Sequence, residues 1–275
     1  MSDLMTQRPD TPSGRWVVSP WQGQWIALQT IVIREVRRFM RIWVQTLIPP
    51  AITMALYFII FGNLIGTRLG EMGGVAYVQF IVPGLIMMSV ITNAYSNVAS
   101  SFFSNKFQNC IEEMLVSPVK PATILVGFVV GGVTRGCLVG MIVMGLSLFF
   151  TRLPIASFCV TVLTLILTAT LFAVGGFINA LFARKFDDIS IVPTFILTPL
   201  TYLGGVFYSL SLLPDFWQVV SLANPIVYMV NAFRYGLIGL SDVDIVHSFM
   251  MMLLFNAILF SVALWLLHRG VGIKE

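Results

Sequence analysis

The chain has 275 residues, 57% of them apolar and only 10% charged, with a mean hydropathy of +0.91. Soluble domains carry about 25% charged residues, so this surface cannot all face water, and the chain reads as an all-α membrane protein. The net charge of +4 would suit nucleic acid, but the basic residues sit between apolar runs, which argues for a membrane and no nucleic-acid partner; Cys110, Cys137 and Cys159 fit no metal or disulfide pattern.

Taken in chain order, residues 1–15 (MSDLMTQRPDTPSGR) read as a disordered cytoplasmic tail with no apolar signal-peptide core. Residues 16–41 follow as an amphipathic helix at the cytoplasmic interface, with Ser19-Pro20 suited to its start. Trp25, Leu28, Val32, Val36 and Phe39 fall on one side of it. Arg34, Arg37, Arg38 and Arg41 recur at i, i+3, i+4 and i+7 on another, beside lipid phosphates.

A bilayer crossing needs about 20 apolar residues. Six stretches qualify: 42–66, 78–100, 122–150, 155–183, 189–206 and 247–268, followed by a cytoplasmic tail at 269–275. The fifth is short, with Pro193 and Pro199 expected to kink it; Pro49-Pro50 and Pro83 interrupt the first two. Twelve of the 16 lysines and arginines fall in the N-terminal segment, the 101–121 loop, Arg184-Lys185 and the C-terminal tail, so both termini are expected in the cytoplasm.

Two connections are more than hairpin loops. In "SFFSNKFQNCIEEMLVSPVKP" (101–121), Phe103, Phe107, Cys110 or Ile111, and Met114 fall at helical spacing, with Lys106, Asn109, Glu112 and Glu113 on other faces. Such a cytoplasmic helix either rests on the membrane or fits a partner's groove, apolar residues giving contact and carboxylates fixing orientation. Segment 207–246 is too apolar for a loop and too interrupted to cross, and reads as two short helices dipping into the outer leaflet. Trp217 and Tyr228 are then near the interface, and Asn224, Pro225, Asn231 and Arg234 break the apolar pattern.

Within the third span Gly132, Gly136 and Gly140 form a small-residue ridge, suited either to packing inside one copy or to a dimer interface. Arg135 lies about 60° round the helix from Gly132, so it should face protein. A mid-span arginine costs roughly 2.5–3.5 kcal/mol on insertion scales. Its expected partners are carbonyls freed by prolines, Asn93, Asn97 or Asn179, and water. Two roles fit it: a structural clamp, or a cation lining the translocation pathway.

Enzymatic chemistry finds no support. No GxxxxGK[ST] loop and no HExxH occurs, and His247 and His268 sit at the ends of the last span. Asp187, Asp188, Asp242 and Asp244 read as loop carboxylates, with no metal site expected.

"NPIVYMVNAFRYGLIG" (224–239), preceded by "GGVFYSLSLLPDFWQ" (204–218), resembles the C-terminal signature of ABC-2 type transporter permeases. "NCIEEMLVSPVKPATILVGFVVGGVTRGCLVG" (109–140) is similar to the corresponding loop and third span, in the YadH-like branch. The resemblance implies a six-helix exporter subunit of the cell inner membrane that forms a homodimer and pairs with two copies of a separate ATP-binding subunit. ATP and magnesium are then on that partner, and this chain holds no cofactor. It further implies a coupling helix over roughly Asn105 to Leu115, with Phe107, Ile111, Glu112, Glu113 and Met114 meeting the ATPase. Implied substrates are amphiphiles such as lipid-linked glycans, polysaccharides, lipids or drugs. The alternative is a self-sufficient secondary carrier or channel, against which stands the placement of all twelve Asp and Glu outside the six stretches.

Overall fold

The computed structural model describes residues 19–272, so the N-terminal tail expected over residues 1–15, the start of the interfacial helix at 16–18, and residues 273–275 lie outside the described residues. Helix α1 (Pro20–Arg41) opens with a capping box: Gln22 N donates to Ser19 Oγ, and Ser19 N donates back to Gln22 Oε1. Pro20 suits the first turn, and Arg38 and Arg41 in the last turn favour the helix dipole. Ile42 breaks the helix, and α2 (Trp43–Tyr57) continues into a π-helical stretch, Phe58–Ile65, and a short α3 (Gly66–Leu69).

A two-residue hairpin follows, β1 (Glu71–Met72) paired antiparallel with β2 (Val75–Ala76). Its turn is Gly73-Gly74, both at positive φ, as a tight hairpin requires. Helix α4 (Tyr77–Phe107) is 31 residues, about 46 Å at 1.5 Å per residue, and takes Pro83 in its stride. Asn109, at φ +58°, turns the chain into α5 (Cys110–Val116). Helices α6 (Pro121–Ser147) and α7 (Phe158–Phe182) complete the central group.

The stretch expected as a fifth span is built in three pieces: α8 (Asp188–Val192), a π-turn over Pro193–Leu197, and α9 (Thr198–Tyr202). Pro199 cannot donate a backbone bond and its ring would crowd the carbonyl one turn back, which the wider turn relieves. The Pro193 carbonyl accepts both the backbone N–H and the hydroxyl of Thr198, the latter at 2.9 Å. Segment 207–246 contains a 3₁₀ turn (Leu210–Leu212), α10 (Asp215–Leu222) and α11 (Pro225–Ile238), and α12 (Ile245–Arg269) ends the fold. Among the described residues, five helical stretches are long and apolar enough to cross a membrane: Trp43–Gly62, Tyr77–Phe107, Pro121–Ser147, Phe158–Phe182 and Ile245–Arg269.

Cross-contacts fix which ends lie together. At one end Lys106 Nζ donates to the Leu181 and Ala183 carbonyls, satisfying the C-terminus of α7, and Gly272 abuts the Leu181 carbonyl. The Asn179 amide bonds the Ile189 carbonyl at this same end. At the opposite end Tyr77 donates to the Phe207 carbonyl (3.2 Å), Gln79 to the Arg152 carbonyl, and Ser157 N to the Gly236 carbonyl. The core is continuous between them. One cluster gathers Ile81, Leu85, Ile86, Val90, Met229 and Phe233 around α4 and α11. A second stacks Phe102, Phe128 and Phe177, ring centroids 4.3 to 6.3 Å apart, towards the end that holds Lys106.

Candidate functional site

Helix α1 runs alongside the first half of α6, in the same direction. Gln24 meets the start of α6, Ile31 fills the space beside Gly127, and Glu35 the space beside Gly131, where an added Cβ would lie 2.6 Å from the Glu35 Cβ. Equal steps along both helices keep them in register, and only a residue without a side chain permits this approach. The inward face of α1 is therefore centred on Ile31, Glu35 and Phe39. Trp25, set by spacing on one side with Leu28, Val32, Val36 and Phe39, is mostly exposed, whereas Phe39 is buried.

Glu35 lies at 1% exposure, which demands a partner. Its Oε2 accepts from Arg38 Nε at 3.4 Å, and Arg34 approaches Oε1 at 3.8 Å. Arg38 then reaches α4, its Nη2 donating to both the backbone carbonyl (3.0 Å) and Oδ1 (2.9 Å) of Asn97.

Arg135 enters the same cluster from α6. Its Nη2 donates to Asn93 Oδ1 at 3.2 Å; contacts of 3.5 Å to Asn97 Oδ1 and the Thr46 carbonyl are at the outer limit of hydrogen bonding. Thr46 stands four residues before Pro50, which has no N–H to give, so its carbonyl is one that a proline freed. Asn179, the third asparagine considered, is spent on the Ile189 carbonyl instead. The site thus joins α1, α2, α4 and α6 through two guanidinium groups that share the Asn97 side chain. Arg135 Nε and Asn97 Nδ2 are buried with no bond.

The helix expected to couple forms as α5. Phe107 is 65% exposed and stands on the rings of Phe103 and Phe186; Val116 is 88% exposed and Glu113 is exposed beside it. Ile111 departs from expectation: at 1% exposure it anchors α5 on the phenylalanine core and offers a partner nothing. Met114 is half-buried against the same core, and the Glu112 side chain lies outside what is described.

Gly132, Gly136 and Gly140 are used inside the chain. Added Cβ atoms would meet Val98 Cγ2 at 2.5 Å, Ala94 Cβ at 2.9 Å and Val90 Cγ2 at 2.8 Å, all on α4, with Ala173, Ala169 and Leu165 of α7 on the other flank. The ridge is filled by α4 and α7, so it is not a free surface for a second copy.

The outer segment has its own polar network. Asn224 caps α11 and donates to the Leu200 carbonyl at 2.6 Å, with Pro225 in the first turn. Tyr228 donates to the Leu222 carbonyl (2.6 Å), tying α11 to α10, where Trp217 is partly exposed. Asn231 Oδ1 accepts from Asp242 N (2.9 Å). Arg234, 1% exposed, donates to the Gly205 carbonyl (2.6 Å), lies 3.9 Å over the Phe80 ring and faces Asp242 at 3.8 Å. Asp242 in turn accepts from Ser209 Oγ and Leu210 N. Among the described residues no group of His, Cys, Asp and Glu could hold a metal.

The family profile of the ABC-2 type transporters matches residues 26–238, which takes in the Arg135 cluster, α5 and α11, with Gln24, Asp242 and the last helix outside it. The chain belongs to the ABC-2 type transporter family. It is similar to the inner membrane transport permease YadH of Escherichia coli K12, 59% identical over 251 residues that cover 91% of this chain and 98% of that one. The nodulation protein J of Rhizobium leguminosarum bv. trifolii is 24% identical over 217 residues, 78% of this chain and 82% of the relative.

For this ABC-2 permease, sequence reasoning missed Glu35, Gln24 and Phe186, and it set Arg38 beside lipid phosphates and Asp242 as a plain loop carboxylate where they meet Asn97 and Arg234. Each takes its place from a long-range contact. Only Glu35 left a local trace, as the lone acid in the arginine-rich "IREVRRFMR".

Proposed function

We propose that this chain is the membrane subunit of an ATP-driven exporter of the inner membrane, moving an amphiphilic substrate from the cytoplasm or inner leaflet. The observation that carries the proposal is α5. It presents Glu113 and Val116, next to Phe107 at the last residue of α4, at the end of the bundle that also holds Lys106, on a chain whose sequence has no phosphate-binding loop. An exposed aromatic and a valine beside a carboxylate suit a protein partner better than water. In this reading the partner is a separate ATP-binding subunit carrying ATP and magnesium, two copies of it serving two copies of this chain.

The membrane path follows. Ile189 lies by Asn179 at one end and Phe207 by Tyr77 at the other, which supports 189–206 as a sixth crossing despite its breaks. With six crossings and the basic bias of the loops, both termini are cytoplasmic. Asn224, at the tip between α10 and α11, reaches Leu200, part-way along that crossing, which supports a re-entrant hairpin from the outer side.

A secondary carrier would need a carboxylate free to exchange ions. Glu35, the buried acid of this cluster, is held as the counter-ion of Arg38. The test is charge reversal on α5. Replacing Glu112 and Glu113 by Lys should leave the permease in the membrane while the partner's ATP hydrolysis no longer responds to it and export stops. Normal coupling by that variant would overturn the docking assignment.

A further inference from the structure

Helix α1 has two polar attachments, one near each end. Near its start, the Gln24 amide makes two bonds to the segment between α5 and α6 and one to the first turn of α6: Nε2 donates to the Pro118 carbonyl (2.8 Å), and Oε1 accepts from Lys120 N (3.0 Å) and Thr123 Oγ1 (2.7 Å). Near its far end Arg38 holds Asn97, which Arg135 of α6 also approaches. Between these points α1 lies against Gly127 and Gly131 with no room for a Cβ, so it cannot slide on α6.

Direct contact between α1 and α5 is poor by comparison. A cavity of about 240 Å³ separates Ala27, Thr30, Ile31 and Arg34 from Met114, Ser117 and Val119. The described hydrogen bonds between the α5–α6 connection and the start of α1 are those of Gln24, joined by Lys120 Nζ lying 5.9 Å over the Trp21 ring.

We infer that α1 and the first half of α6 move as one lever between the α5–α6 connection and Asn97, with Gln24 the positioning residue that locks α1 to that connection. Displacement of α5 is delivered by the lever to the Asn97 side chain, where both arginines grip α4. The inference rests on the reading that α5 docks the ATPase.

Hydrogen exchange of the purified permease–ATPase complex in lipid nanodiscs, nucleotide-free and trapped with ATP and vanadate, tests both. In the wild type, trapping should change exchange in peptides covering 109–120 and in those covering 24–41. Gln24→Ala should keep the first change and lose the second. Gln24→Glu, which retains both accepting contacts and loses one donated bond, should keep at least half of the second, and it decides the matter if the alanine variant does not assemble. A full α1 response in Gln24→Ala, or no more response in the Glu variant than in the Ala variant, overturns the lever. If 109–120 is silent in the wild type, it is the docking assignment that fails.

Discussion

Asn97 is the residue on which the buried charges converge. Its Oδ1 takes Arg38 at 2.9 Å and Arg135 at 3.5 Å, while its Nδ2 makes no bond. Two guanidinium groups fix the orientation of the amide, because only the oxygen can accept. Asn97→Leu strips Arg38 of its side-chain acceptor and weakens the hold on Arg135; a lost hydrogen bond to a charged group costs about 1.5–3 kcal/mol, lessened here because Arg38 is partly exposed and keeps Glu35. Asn97→Asp gives up no donated bond and sets a carboxylate between two cations. Melting of the purified permease in detergent should show Asn97→Leu well below the wild type and Asn97→Asp level with it or above. Equal loss in both would mean that the arginines are held elsewhere. Arg135→Gln complements this pair, since a stable variant that still couples to ATP hydrolysis and exports normally would leave Arg135 as a clamp with no part in transport.

Packing of the elements rests on close approach between backbones. Gly176 of α7 meets the Tyr95 carbonyl so closely that a Cβ cannot fit, and the obstruction is main chain that no rotamer change moves. Gly145 of α6 has nothing within 4 Å of where its Cβ would stand. Gly176→Ala should therefore lower stability by about 1–3 kcal/mol through overpacking. Gly145→Ala should be neutral or gain up to about 1 kcal/mol by stiffening the helix. Thermal unfolding of the two variants side by side checks this, and an equal effect would contradict the packing described.

At this scale much of the fold was legible from sequence. Long apolar runs bounded by charged loops marked the five long helices, and the 3.6-residue spacing of 103–114 marked helix there, which the structure divides at Gln108-Asn109 between the end of α4 and α5. The asparagines and proline-freed carbonyls expected around Arg135 are largely those it meets. What could not be read was contact between distant segments. A glycine pair at 127 and 131 carries no hydrophobic period, so nothing announced that α1 lies along α6 and buries Glu35. Apolar spacing placed Ile111 with Phe107, yet the αL turn at Asn109 rotates them to different sides, one inward and one out. The Arg234–Asp242 pairing is fixed by segment 205–210, which bonds to both residues, and no local pattern encodes that.

For the whole molecule, this ABC-2 permease sets a short helix, α5, at the end of the bundle that holds Lys106, and in the proposed reading a separate ATPase docks there and supplies the energy. Its glycine ridge is consumed by α4 and α7, so the proposed pairing of two copies would use other surfaces. Candidates in kind are the weakly covered faces of α2 and α12, which expose Ile48, Ile52 and Leu56 on one helix and Met250, Leu253 and Leu254 on the other. Leucine-to-alanine changes at Leu56 or Leu254 that face only lipid should leave assembly unchanged, whereas a face at the copy–copy contact should lose it. The most direct measurement of the central claim is the native mass of the complex purified with its ATP-binding partner. The account predicts two copies of this chain with two ATPase subunits, and ATP hydrolysis that changes when the permease is present. A permease that purifies alone, binds no ATPase and transports in response to an ion gradient would contradict it.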